Sequence, residues 1–205
     1  MKINTATIIS YLLHPLLVPT YIMVFLLNVN AFLAFMIPVA LRLWIIGMFF
    51  VITFAMPAIM IYLMKRKGVI TSLQMEIRSE RFYPLLLTAI FWGLGYTVIS
   101  KTGLPMVYYQ YMLGGIAAII VAIAINYFWK ISLHMVGMGG LTGAFFGLSL
   151  RIGVDLFPML AIVILLSGLV GYARLKVNSH NPPQVYVGFI VGVILMFIVY
   201  MPPLI

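Results

Sequence analysis

Apolar residues run through this chain in long blocks separated by short polar patches. A helix needs about 20 residues to cross a bilayer. Measured against that length, the blocks predict seven candidate helices, at roughly 6–30, 38–64, 82–100, 106–128, 134–151, 155–174 and 184–203. The first block contains His14-Pro15 and Pro19. Proline removes a backbone donor, so a kinked or partly re-entrant segment is expected there. No run of alternating apolar and polar positions suggests a transmembrane barrel. The pattern predicts an all-α, polytopic membrane helix bundle with six to seven transmembrane helices. It forms a single integral membrane domain over 1–205, with a motif-bearing core at about 65–203. The first apolar run lacks a small-residue cleavage site and is expected to be a retained helix.

The polar patches are not scattered. Lys65, Arg66, Lys67, Glu76, Arg78, Glu80 and Arg81 fall between the second and third candidate helices. Lys130, Ser132 and His134 fall between the fourth and fifth, and Arg174, Lys176, Asn178, His180 and Gln184 between the sixth and seventh. Two crossings separate each cluster from the next, so all three face one side of the membrane. Eleven of the fifteen charged residues lie on that side, counting Lys2, against Arg42, Lys101, Arg151 and Asp155 on the other. Ionisable residues gathered at helix ends are functional candidates in a membrane protein.

Composition sharpens this picture. Of 205 residues, 65% are hydrophobic and 7% charged, far from the quarter or so that is charged in soluble domains. A net charge of +9 in such a chain fits lipid head groups and phosphate-bearing substrates, not nucleic acid. There is no cysteine, which excludes thiol catalysis, disulfides and cysteine metal sites. With three acidic residues in all, a carboxylate-built metal site is not expected.

The three clusters hold the residue types that phosphate chemistry needs. Arg78, Arg81, Arg174 and Lys130 are candidate phosphate-binding cations; the arginine fork matches phosphate geometry and stays charged. His134 and His180 suit phosphoryl transfer, one attacking phosphorus and the other protonating the leaving oxygen. Ser132 and Gln184 add a hydroxyl and an amide.

The segments that carry these residues resemble the three motifs of the type-2 phosphatidic acid phosphatase superfamily, a family of membrane lipid phosphatases. Its third motif, Ser-Arg, five residues, His, three residues, Asp, is similar to Ala173-Arg174, His180 and Gln184 in "ARLKVNSHNPPQ". Its second, Pro-Ser-Gly-His, is similar to Ile131-Ser132-Leu133-His134. Its first, Lys, six residues, Arg-Pro, is matched by Arg81 with Pro84 displaced by two positions, Gln74 standing where the Lys would be. The resemblance implies a metal-free, cofactor-free enzyme of a bacterial inner membrane, acting on a phosphate monoester or diphosphate of a lipid. Phosphatidate-like, phosphatidylglycerol-phosphate-like and polyprenyl diphosphate lipids are the implied substrates. It casts His180 as the nucleophile that forms a phosphohistidine and His134 as the general acid. Arg174, Arg81 and Arg78 become the phosphate clamp, and Ser132 a donor to a phosphate oxygen. Gln184 replaces an orienting Asp: its carbonyl fixes the histidine tautomer but brings no charge, so a lowered rate is expected. A lipid-phosphate binding or transport protein and a lipid phosphotransferase are the rival expectations.

Other polar residues have plainer roles. Lys2, Lys65, Arg66, Lys67 and Lys176 are expected to be interfacial, snorkelling flanks. Glu76 and Glu80 are expected to pair with cations or order their loop, and His14 to be a satisfied core histidine. Gly139, Gly143 and Gly147, four apart, and Gly188 with Gly192 form small-xxx-small packing faces. Tyr108, Tyr109 and Tyr111 resemble an interfacial aromatic belt. Setting aside cations that the chemistry needs, five positive charges against three place the site's side in the cytoplasm.

Overall fold

The structure, a computed structural model, describes residues 5–28 and 37–201. Lys2 and the ends of the first and last expected helices, residues 29–30 and 202–203, lie outside the described residues. Among those described there are eight helices and no strand. They are α1 (Thr5–Leu12), α2 (Val18–Asn28), α3 (Val39–Arg66), α4 (Phe82–Ile99, led by a 3-10 turn at Ser79–Arg81), α5 (Met106–Phe128), α6 (Leu133–Ile152), α7 (Phe157–Lys176) and α8 (Pro182–Tyr200). The six from α3 to α8 are long and apolar enough to cross a membrane, and the chain is an integral membrane protein. Their outward faces are ordered stripes of exposed apolar side chains at four-residue spacing, such as Leu86, Ile90, Leu94 and Val98 on α4 and Ile190, Ile194 and Ile198 on α8.

The expected first helix is two short ones. A residue before proline is driven out of the α region, and α1 stops at Leu12, two residues short of His14-Pro15. The chain turns through residues 13–17, closed by Leu17 N–H donating to His14 O (2.8 Å) and Val18 N–H to the same oxygen (3.2 Å), and resumes as α2. In α3 the interruption is milder. Pro57 has no N–H for the carbonyl four residues back, and the ladder widens to a π segment over Val51–Ala55, with Met56 N–H reaching five residues back to Val51 O. Within that segment Thr53 Oγ1 lies 2.7 Å from Phe49 O and 3.3 Å from Leu16 O, which ties α3 to the break between α1 and α2.

The most enclosed helix is α6, and its partner is α8. Without water, helices in a membrane associate through close packing, which small residues permit. Gly139 lies against the Phe189 carbonyl, Gly143 against the Val193 carbonyl and Gly192 against the Val136 carbonyl, each too close for a Cβ. At the site end a Cβ on Gly188 would stand 2.8 Å from Ser132 O. The two glycine faces expected from the sequence therefore meet each other. The rest follows around this pair: α5 flanks α8, α7 packs chiefly on α6, α4 on α5, α2 on α3 and α6, and α1 on α7.

The aromatic belt is corrected. Tyr108 and Tyr111 are buried. Tyr111 packs its ring 6.2 Å from that of Trp92, and only Tyr109 keeps partial exposure. They sit on the inward face of α5, where a dry bundle has room for aromatic bulk.

Candidate functional site

The three polar clusters converge at one end of the bundle, joined by hydrogen bonds between loops. Arg81, buried at 4% exposure, donates from Nε to Met75 O (2.8 Å) and from Nη1 to Ile131 O (3.0 Å). That links the 67–81 loop to the α5–α6 turn. Asn126 Nδ2 donates to Arg78 O (3.0 Å) across the same gap. Ser132 N–H donates to Gln184 O (3.3 Å), joining the α5–α6 turn to the start of α8. Glu80 Oε2 accepts from both Thr71 N–H and Thr71 Oγ1 at 3.1 Å, so its part is to order the loop.

His180 owes its geometry to the cap of α8. Asn181 Oδ1 accepts from Gln184 N–H (3.1 Å), and Gln184 Oε1 accepts from Asn181 N–H (3.3 Å), a reciprocal capping box. The same Oε1 lies 2.9 Å from His180 Nδ1. An oxygen already accepting a backbone N–H is an acceptor here too, so His180 Nδ1 carries the hydrogen and Nε2 carries the lone pair. Burial pushes the imidazole from 6.5 down to about 3; the Gln184 bond acts in the opposite direction, and Arg81, Arg174 and Lys130 add to the lowering. At neutral pH the ring is uncharged and its tautomer fixed, the state a nitrogen nucleophile needs. Lys130, in the α5–α6 turn, is likewise lowered from the ordinary lysine value, first by burial and then by Arg81.

Arg174, in the last turn of α7, lies within electrostatic reach of His14, Arg81, Lys130, His134 and His180. Its Nε is buried and bonds to no protein atom. The Ser132 hydroxyl is also buried without a partner. His134, one residue into α6, places Nε2 3.0 Å from Ser10 O, so Nε2 donates to that carbonyl. Its ring meets His14 edge-on at 5.2 Å between centroids.

Arg174, His134 and His14 line a cavity of about 790 Å³. Its polar end holds His14, His134, His180, Arg81 and Arg174, and its far end Trp92, Tyr111, Gly115 and Met196. Met196 stands twelve residues beyond Gln184 on α8, about 18 Å at 1.5 Å per residue. The cavity therefore joins a cation-rich end, which Glu76 also lines, to an apolar interior.

Of the residues expected from the sequence, His134, His180, Arg81 and Arg174 share this cavity. Gln184 stands behind His180 as its acceptor. Ser132 is packed at the α6–α8 crossing, and Arg78 and Lys130 lie outside the lining, with Arg78 exposed. His14 was expected to be a core histidine; it is half-buried and lines the cavity. The Ser10 carbonyl was not expected at all. Asn126 and Asn181 also escaped notice, since a loop-tying amide and a capping box speak only through their partners. Among the described residues, no group of three His, Cys, Asp or Glu side chains is placed to hold a metal ion. No protein-family model, curated protein or solved structure matches the chain.

Proposed function

We propose that the protein is an integral membrane lipid phosphatase that hydrolyses a phosphate monoester or diphosphate of a lipid through a phosphohistidine. The observation that carries this is one cavity with a buried guanidinium, Arg81, a half-buried one, Arg174, and a tautomer-fixed neutral histidine at its polar end, and an apolar interior beyond them. Uncompensated buried cations are costly unless an anion joins them, and the apolar interior suits the chain of an amphiphile. The resemblance of 173–184, 131–134 and 74–84 to the motifs of the type-2 phosphatidic acid phosphatase superfamily points the same way.

In this mechanism Arg174 and Arg81 hold the phosphate oxygens. His180 Nε2 attacks phosphorus, forming an N–P bond as the P–O bond to the lipid breaks. His134, with Nε2–H on the Ser10 carbonyl and its lone pair on Nδ1, takes up at Nδ1 the acidic proton of the singly ionised phosphate and passes it to the departing oxygen. Water then attacks phosphorus and yields its proton to His134, the N–P bond breaks, and inorganic phosphate leaves. Arg78, Lys130 and Ser132 act from outside the lining, adding positive potential and holding the crossing.

The test is phosphate release by purified protein from phosphatidate, phosphatidylglycerol phosphate and a polyprenyl diphosphate, with EDTA present. Wild type should release phosphate, and His180→Ala should abolish release while keeping lipid binding. Gln184→Glu, which keeps the capping box and adds the missing charge, should raise the rate. Absence of release from every lipid, with binding intact, would favour the second reading. There the uncharged Gln184 marks a lipid-phosphate binder or, if an alcohol replaces water as acceptor, a transferase. We place the protein in a bacterial inner membrane with the site on its cytoplasmic side, because Lys65, Arg66, Lys67 and Lys176 share that end of the bundle. The chain has no cysteine, so a single Ser79→Cys variant should react with a membrane-impermeant maleimide only after cells are opened.

A further inference from the structure

The broken N-terminal segment places a third histidine in the cavity, and nothing in the mechanism above uses it. His14 Nδ1 accepts from Leu16 N–H at 3.3 Å. A neutral imidazole with an accepting Nδ1 carries its hydrogen on Nε2, and no acceptor among the described residues takes that hydrogen. The ring lines the polar end of the cavity, edge-on to His134 at 5.2 Å and within electrostatic reach of Arg174. The arrangement follows from Pro15. The helix break that proline imposes frees the Ser10 carbonyl from its usual donor at position 14, and that carbonyl is taken up by His134 Nε2. The turn that follows then locks one nitrogen of His14 onto the backbone and leaves the other as a donor.

Resting on the lipid-phosphate assignment, we infer that His14 is a substrate-binding residue whose Nε2–H donates to the phosphate group beside Arg174. The α1–α2 break is then a fourth wall of the site, built by a segment more than a hundred residues away from the nearest motif histidine.

The chain has three histidines, so isotope labelling of histidine alone gives three ring systems, assigned by single replacement. The protein in detergent is titrated with inorganic phosphate, which probes the phosphate group alone, and with lysophosphatidate, which carries a chain. The His14 Nε2–H signal should shift together with those of His180 and His134. A shift with both probes assigns the donor to the phosphate group itself; a shift with lysophosphatidate alone assigns it to the lipid head group. His14→Ala should weaken phosphate binding roughly tenfold, and His14→Gln, which keeps an N–H donor, should stay within about threefold of wild type. A His14 signal unmoved at saturation while His180 responds overturns the inference and leaves the phosphatase proposal standing. Three unmoved signals overturn both.

Discussion

Gly143→Ala offers a measurement of the packing that holds the site together. Its new Cβ would stand 2.9 Å from both the carbonyl carbon and Cα of Val193, and closer still to the carbonyl oxygen, whereas ordinary contact begins at 3.4 Å. The obstacle is the backbone of α8, which cannot rotate aside, so the helices must part by roughly half an ångström or more. Overpacking of this kind costs about 1–3 kcal/mol. Alanine also favours a helix over glycine by about 1 kcal/mol, which masks part of the loss. Gly168→Ala removes that ambiguity. Gly168 lies on exposed α7 with nothing within 4 Å of its would-be Cβ, so it reports the helix preference alone. The difference between the two variants should be about 1–3 kcal/mol, with Gly143→Ala the less stable. Unfolding in mixed micelles of mild detergent and dodecyl sulfate, followed by circular dichroism, measures both. Equal stabilities would refute the close α6–α8 contact.

Arg81→Lys should destabilise the protein by about 1.5–3 kcal/mol in the same assay, because an ammonium cannot reach both the Met75 and Ile131 carbonyls that the guanidinium bridges. Asn126→Leu breaks the bond to Arg78 O. It should cost about 1 kcal/mol and speed tryptic cleavage after the exposed Arg78; unchanged cleavage would show that the amide does not hold the turn. The fourth prediction concerns pH. His180 is held at about 3 in the folded chain against 6.5 ordinarily, so as pH falls the unfolded chain takes up its proton first. The stabilising contribution is whole above pH ~6.5 and declines toward pH ~3, by at most about 1.4 kcal/mol per unit. Wild type should therefore lose stability faster than His180→Gln between about pH 6 and pH 4; parallel curves would contradict a buried neutral His180.

Much of this architecture is legible in the chain because a bilayer leaves few choices. From α3 onward each apolar block became a helix within three residues of its expected ends, as at Val39–Arg66 and Met106–Phe128. Counting crossings was enough to bring Arg81, His134, Arg174 and His180 to one end. Pairing was not legible. Gly139 and Gly143 announce a close contact but not its partner, and α8 is identified only by the Phe189 and Val193 carbonyls that meet them. The surroundings of His14 were out of reach for a related reason. A histidine before a proline signals a break in a helix, but its approach to His134 spans 120 positions, and local pattern carries no such range. The Tyr108–Tyr111 error came from the opposite habit, since tyrosines near a helix start suit an interface as well as an interior face.

The apolar end of the cavity has an unusual thermodynamic status. In a water-soluble protein, filling such a space would release a hydrocarbon chain from water and supply most of the affinity. A lipid already resides in oil, and lipid tails are as apolar as leucine, so moving a chain from the bilayer to the neighbourhood of Trp92 and Met196 gains almost no solvation energy. Selection among chains must then come from shape, set by features as small as Gly115 lying under the Trp92 ring. On the proposed function, residence in the site comes from the guanidinium end, and occupancy follows the lipid's mole fraction in the membrane, not its concentration in the surrounding water.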